Sequence, residues 1–100
     1  MNHNETNIEK ELKSLGYQDV KLDEARFPVI TGHRKTGNYE IDVRMELTPR
    51  PTTVIRGRNG CSMKYIIPEE TEGTVTKAFK ALRAINDGTA FHAIWDVINQ

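Results

Sequence analysis

One cysteine in 100 residues, Cys61, excludes an internal disulfide, and no cluster of Cys and His exists to hold zinc. That usage points to a reducing compartment, with the cytoplasm as the default. No apolar run approaches the roughly 18 residues that a membrane helix needs. The opening segment, Met1-Asn2-His3-Asn4-Glu5-Thr6, lacks both the basic and the apolar part of a signal peptide. Neither a membrane span nor a leader is therefore expected. Internal repeats and low-complexity segments are missing as well. So is net charge, since 14 Lys and Arg balance 14 Asp and Glu. What remains is a rather polar chain, 37% hydrophobic and 28% charged. Its length suits one core but not two, so residues 1–100 are expected to form a single globular domain.

The absence of net charge hides a segregation. From Arg26 to Lys64 there are eight Lys and Arg against three acids, and this stretch holds every arginine but Arg83. Residues 1–25 carry three cations against six acids, and residues 65–100 three against five. A local basic field attracts phosphate or acidic surfaces even where the whole-chain charge vanishes.

Hydrophobic periodicity supplies the elements. Thr6 and Glu9 have capping-box spacing, and Ile8, Leu12 and Leu15 recur at helical intervals before Gly16, which predicts a helix over about 7–15. Asp19 to Leu22 reads as a short edge strand, and Phe27-Pro28-Val29-Ile30 leads into a second strand that turns at Lys35-Thr36-Gly37-Asn38. Tyr39, Ile41, Val43, Met45 and Leu47 then alternate with Glu40, Asp42, Arg44, Glu46 and Thr48, the pattern of a half-buried strand. Pro49 and Pro51 end it.

Thr52 to Arg56 and Cys61 to Ile67 are the arms of a further hairpin around Gly57-Arg58-Asn59-Gly60. A two-residue Asn59-Gly60 turn would pair Arg56 with Met63 and set both arginines on the face of Cys61, Met63 and Tyr65. A three-residue loop would pair Ile55 with Met63 and Thr53 with Tyr65, leaving Arg56 outside with Ser62 and Lys64. The second register is preferred, because it buries Ile55 and solvates Arg56. Acids at Glu69, Glu70 and Glu72 precede a helix whose apolar stripe is Val75, Ala78, Phe79, Ala81, Leu82 and Ile85, stopped at Asn86-Asp87-Gly88. Thr89 is expected to cap a last helix with Phe91, Ile94, Trp95 and Ile98 facing inward. The expected class is α+β: an antiparallel sheet of about four to five strands with an N-terminal helix and two C-terminal helices.

The candidate binding residues are Arg34, Lys35, Arg50, Arg56, Arg58 and Lys64. Arginine's planar fork binds phosphate or carboxylate bidentately, and backbone amides beside a glycine-containing turn add donors. The Arg56 to Gly60 cluster is not a P-loop, since it lacks the Gly-Lys-Ser/Thr ending and does not run from strand to helix. The outward face of the best strand, Glu40, Asp42, Arg44 and Glu46, is net acidic, so phosphate contacts are expected from loops. Tyr39 and Tyr65 fall in phase with the apolar sets and are expected in the core rather than as base-stacking platforms.

The order helix, strands, helix loosely resembles a double-stranded-RNA-binding domain, with Gly73-Thr74-Val75-Thr76-Lys77-Ala78 near the place of that family's basic helix start. Only Lys77 matches in kind, so the resemblance is one of topology and carries over no residues.

His33 and His92 have no neighbouring acid in sequence, and Cys61 before Ser62 lacks a nucleophile-elbow context. No catalytic or metal-ligating residue is assigned, and neither an enzyme activity nor a cofactor is expected. The reading is a small macromolecule-binding module that uses arginine-bearing loops, with nucleic acid ahead of protein. The alternative is a small regulatory or inhibitor protein, of the kind mobile elements carry, that binds a protein partner through mixed-charge surfaces. An exposed strand edge, that of Asp19 to Leu22, could also support a homodimer.

Overall fold

The computed structural model describes residues 5–24, 26–36, 39–59 and 61–99, without the side chains of residues 5, 6, 36, 59 and 61. The order is α1 (Glu5–Ser14), β1 (Gln18–Asp23), β2 (Val29–Thr36), β3 (Tyr39–Glu46), β4 (Thr52–Asn59), β5 (Cys61–Ile67), α2 (Thr76–Asn86), a 3-10 turn (Phe91–Ala93) and α3 (Ile94–Ile98). The five strands lie side by side in chain order, every neighbour antiparallel. This is an α+β architecture with helices on one face of the sheet. Candidate membrane-spanning helices are absent among the described residues, none being long and apolar enough.

The alternation of β3 places that strand at the centre. Ile41, Val43 and Met45 point to the helices, flanked by Ile30 of β2, Thr53 and Ile55 of β4, and Ile67 of β5, all buried. Leu12 of α1, Phe79 and Leu82 of α2, and Phe91, Ile94 and Ile98 close the core from above.

Helix ends follow local rules with some departures. Gly16, at φ +93°, ends α1 as expected, and the Tyr17 amide donates to the Leu12 carbonyl across it. The helix starts earlier than the capping-box reading, so Thr6 lies inside it. Thr89 does not cap the last helical segment; Ala90 holds that position without a side-chain bond, and the Thr89 amide instead donates to Ala84 to close α2. Trp95 is half-exposed rather than inward, while Phe91, Ile94 and Ile98 are buried as expected.

The β4–β5 hairpin adopts neither of the two expected registers. Arg56 pairs with Lys64, Gly57 with Met63 and Ile55 with Tyr65. Arg56 nevertheless lies with Ser62 and Lys64 away from the core, because a shift of two residues preserves the side-chain phase. Gly60 itself, and Gly37 and Asn38 of the β2–β3 turn, lie outside the described residues.

Glu70 holds the start of α2. Its carboxylate accepts from the amides of Lys77 at 2.7 Å and Ala78 at 3.2 Å, two of the donors a helix leaves unpaired at its N-terminus. The side chain is buried, and burial pushes its carboxyl above the ordinary value of 4.5 against the two amide bonds and the Lys77 charge. A carboxyl raised on folding binds more protons in the folded than in the unfolded chain, between 4.5 and its folded pKa. Its contribution to stability therefore grows as pH falls through that window. Glu70→Ala should cost about 2 kcal/mol at neutral pH, from two orphaned helix donors. The gap from wild type should widen as pH falls through the same window in denaturant titrations. An equal gap at every pH would contradict this account.

Candidate macromolecule-binding face

Among the described residues no helix covers the second face of the sheet, and register alone decides which charges meet there. One row across the strands is Lys35, Glu40, Arg58 and Ser62; the next is His33, Asp42, Arg56 and Lys64. A third runs Lys21, Thr31, Arg44, Val54 and Ile66. Directly opposed side chains in such rows have Cβ atoms about 5 Å apart, so each row is a contact series.

The acids of β3 are already engaged. Arg58 Nη2 lies 2.9 Å from Glu40 Oε2 and 3.9 Å from Asp42 Oδ2. His33 Nδ1 is 2.7 Å from the other oxygen of Asp42, and Arg44 Nε is 3.5 Å from Glu46 Oε1. Among the described residues Arg56, Lys64, Lys35 and Lys21 have no ion pair. Arg56 and Lys64 are directly opposed like charges, an arrangement that costs folding energy unless an anion lies between them.

The face is concave. A depression of about 630 Å³ spans β1 to β5, and one of about 490 Å³ continues it over β4 and β5. Asp42, Arg56 and Lys64 line both. Asp19 closes the first at the β1 side, and Arg58 and Ser62 form the rim of the second. The β4–β5 side is thus cationic, through Arg56, Arg58 and Lys64, whereas the β1 side carries Asp19 and Lys21 together.

Four of the six candidate residues share this face: Lys35, Arg56, Arg58 and Lys64. Arg56 and Arg58 belong to strand β4, not to a loop. Arg50 is exposed in the β3–β4 connection at the far end of the sheet, 3.6 Å from Glu69. Arg34 points to the helix side, where its Nη1 donates to Asn86 Oδ1 at 2.6 Å while Asn86 Nδ2 donates to the Leu15 carbonyl. That chain ties β2 to the ends of both α1 and α2. Arg34 also lines a cavity of about 350 Å³ beside Tyr39 and Phe91. Burial pushes the Tyr17 hydroxyl up to about 12, opposed by the Arg34 charge.

Arg44, Lys21 and His33 complete the open face and were not among the candidates. Arg44 was legible as outward-facing, yet its surroundings depended on strands that flank β3. Tyr39 and Tyr65 point to the helix side as expected, Tyr39 stacked on Phe91 at 6.4 Å between ring centroids. No group of three metal-ligating side chains exists among the described residues. Comparison with protein-family models, curated proteins and solved structures found no match.

Proposed function

We propose that this domain binds nucleic acid through backbone phosphates on the open face of its sheet, centred on Arg56 and Lys64. The observation that carries this reading is that opposed pair: two exposed cations without carboxylate partners, in a concavity whose one acid, Asp42, is engaged by His33 and Arg58. Adjacent backbone phosphates seated at Arg56, Lys64 and Arg58 relieve the repulsion of the pair and take donors from each, with the Ser62 hydroxyl beside them. Among its described strand residues the open face presents no Phe, Tyr or Trp, and its one imidazole, His33, is engaged with Asp42, so contacts fall on the backbone rather than on stacked bases. Binding of this kind is independent of sequence.

Fluorescence anisotropy with labelled duplex DNA, duplex RNA and single strands tests it. Three phosphate contacts predict a loss of affinity of about 40-fold between 50 and 200 mM salt on duplex DNA. Absence of binding at low salt would sink the proposal. A protein partner is the second reading, favoured by the alternation of charge along the row Lys35, Glu40, Arg58. A salt-tolerant stoichiometric protein complex blocked at Arg56, with no nucleic-acid binding, would establish it instead.

A further inference from the structure

The two edges of the sheet are built differently. β1 has a register irregularity between Gln18 and Lys21, a left-handed residue at Asp19 (φ +53°), and charges at Asp19, Lys21 and Asp23. Irregularity and charge are the devices by which an edge strand resists pairing with another chain. β5 has neither an irregularity nor more than one charge: its seven residues pair with β4 in unbroken register, and Lys64 is its lone ionisable cation. Among the described residues no strand lies on its far side.

Large apolar side chains flank this bare edge on both faces. Of three exposed large hydrophobics among the described residues, Ile66 (51% exposed) belongs to β5 on the open face. Trp95 (51% exposed) packs on the helix side against Tyr65, 6.0 Å between ring centroids. The Tyr65 hydroxyl is buried and has no hydrogen-bond partner among the described residues.

We infer that β5 pairs antiparallel with β5 of a second copy of this chain, about a two-fold axis at Tyr65. The strand is self-complementary in that register alone among its close neighbours. An axis at Lys64 would oppose two ammonium groups, and an axis at Ile66 would leave only Tyr65 to Ile67 paired before Pro68, which has no amide hydrogen, where the axis at Tyr65 pairs Met63 to Ile67. With the axis at Tyr65, Lys64 lies over Ile66 of the second copy, its aliphatic stem covering the exposed methyls. Met63 meets Ile67 of the second copy on the helix side, and the two Tyr65 rings face each other between the two Trp95 side chains. A two-fold contact uses the same patch twice, so one event covers both copies of Ile66 and Trp95. The open faces then join into one, with an Arg56 and Lys64 pair on either side of the axis. The pairing rests on backbone and apolar contacts, so it stands or falls independently of what that face binds.

Sedimentation equilibrium without nucleic acid, from low to high micromolar protein, is the test. The wild type is expected to form a dimer. Ile66→Lys sets the introduced lysine opposite Lys64 of the second copy and should give a monomer. Adding Lys64→Glu to that variant opposes unlike charges across the axis twice and should restore the dimer, a rescue that only this register provides. A monomeric wild type, an undiminished dimer in Ile66→Lys, or a folded double variant that stays monomeric would each overturn the inference. Amide hydrogen exchange of the wild type gives a readout free of any folding defect: protection of β5 should rise with protein concentration. Protection independent of concentration would also overturn it.

Discussion

Replacing Arg56 and Lys64 together by alanine should weaken binding to duplex DNA on the order of 100-fold at 50 mM salt, and should flatten the salt dependence by about two phosphate equivalents. The magnitude follows from counterion release: each neutralised phosphate at that salt contributes roughly a factor of 15, and each of the two residues holds its own. Folding is not at risk, because both side chains are exposed, and relief of the like-charge pair offsets the loss of Arg56 opposite Asp42. The variant should therefore melt close to the wild-type temperature. Arg50→Ala, at the far end of the sheet, serves as the comparison and should leave affinity nearly unchanged. Anisotropy titrations at several salt concentrations read both quantities. An unaltered salt slope in the double variant would remove Arg56 and Lys64 from the interface.

Gly57→Ala is expected to lower the melting temperature by about 10 °C, equivalent to about 2 kcal/mol in a domain of this size. A Cβ at position 57 would come within 2.5 Å of Phe91 Cε2 and 2.8 Å of its Cζ, on a ring that is itself buried and stacked on Tyr39. The ring cannot withdraw without disturbing the Tyr39 contact, so the cost is one of overpacking rather than of backbone strain. Gly32→Ala is the contrast: its new Cβ meets Tyr17 and Val43 no closer than 3.5 Å, an ordinary contact, and should be neutral or slightly stabilising. Combining Gly57→Ala with Phe91→Leu should recover part of the loss, since the two sites share one space and their effects do not add. Thermal melts of the four variants decide the matter; additive losses would show that Phe91 is not what Gly57 accommodates.

The glycines and arginines of β2 and β4 take positions that local sequence does not dictate. Within a strand, alternation reports which residues share a face, and in β3 five apolar residues in phase leave one solution. β2 offers only Ile30 as an apolar marker on its inner side, followed by Gly32 and Arg34, so its phase is not legible. Arg34 turns inward to Asn86, and the guanidinium stem passes beside Gly16, 3.1 Å from where a Cβ would stand. Gly57 and Arg58 have turn-like composition, yet β4 continues through them because Phe91, thirty-four positions later, packs where Gly57 has no side chain. No local pattern contains that information.

The sequence by itself determined the class and the inventory: an α+β chain, the central strand and its buried side, the apolar stripes of α1 and α2, and a basic middle segment. These are consequences of period and composition, which act over a few residues. Tertiary structure decided which charges became neighbours. Cross-strand register sets Asp42 between His33 and Arg56, lets Arg58 and His33 hold the acids of β3, and leaves Arg56 facing Lys64. It likewise left β5 rather than β1 as the unprotected edge. The physical reason is that side-chain direction along a strand is local, whereas electrostatic neighbourhood depends on how separate strands align, and that alignment is fixed by turn length and by core packing against the helices.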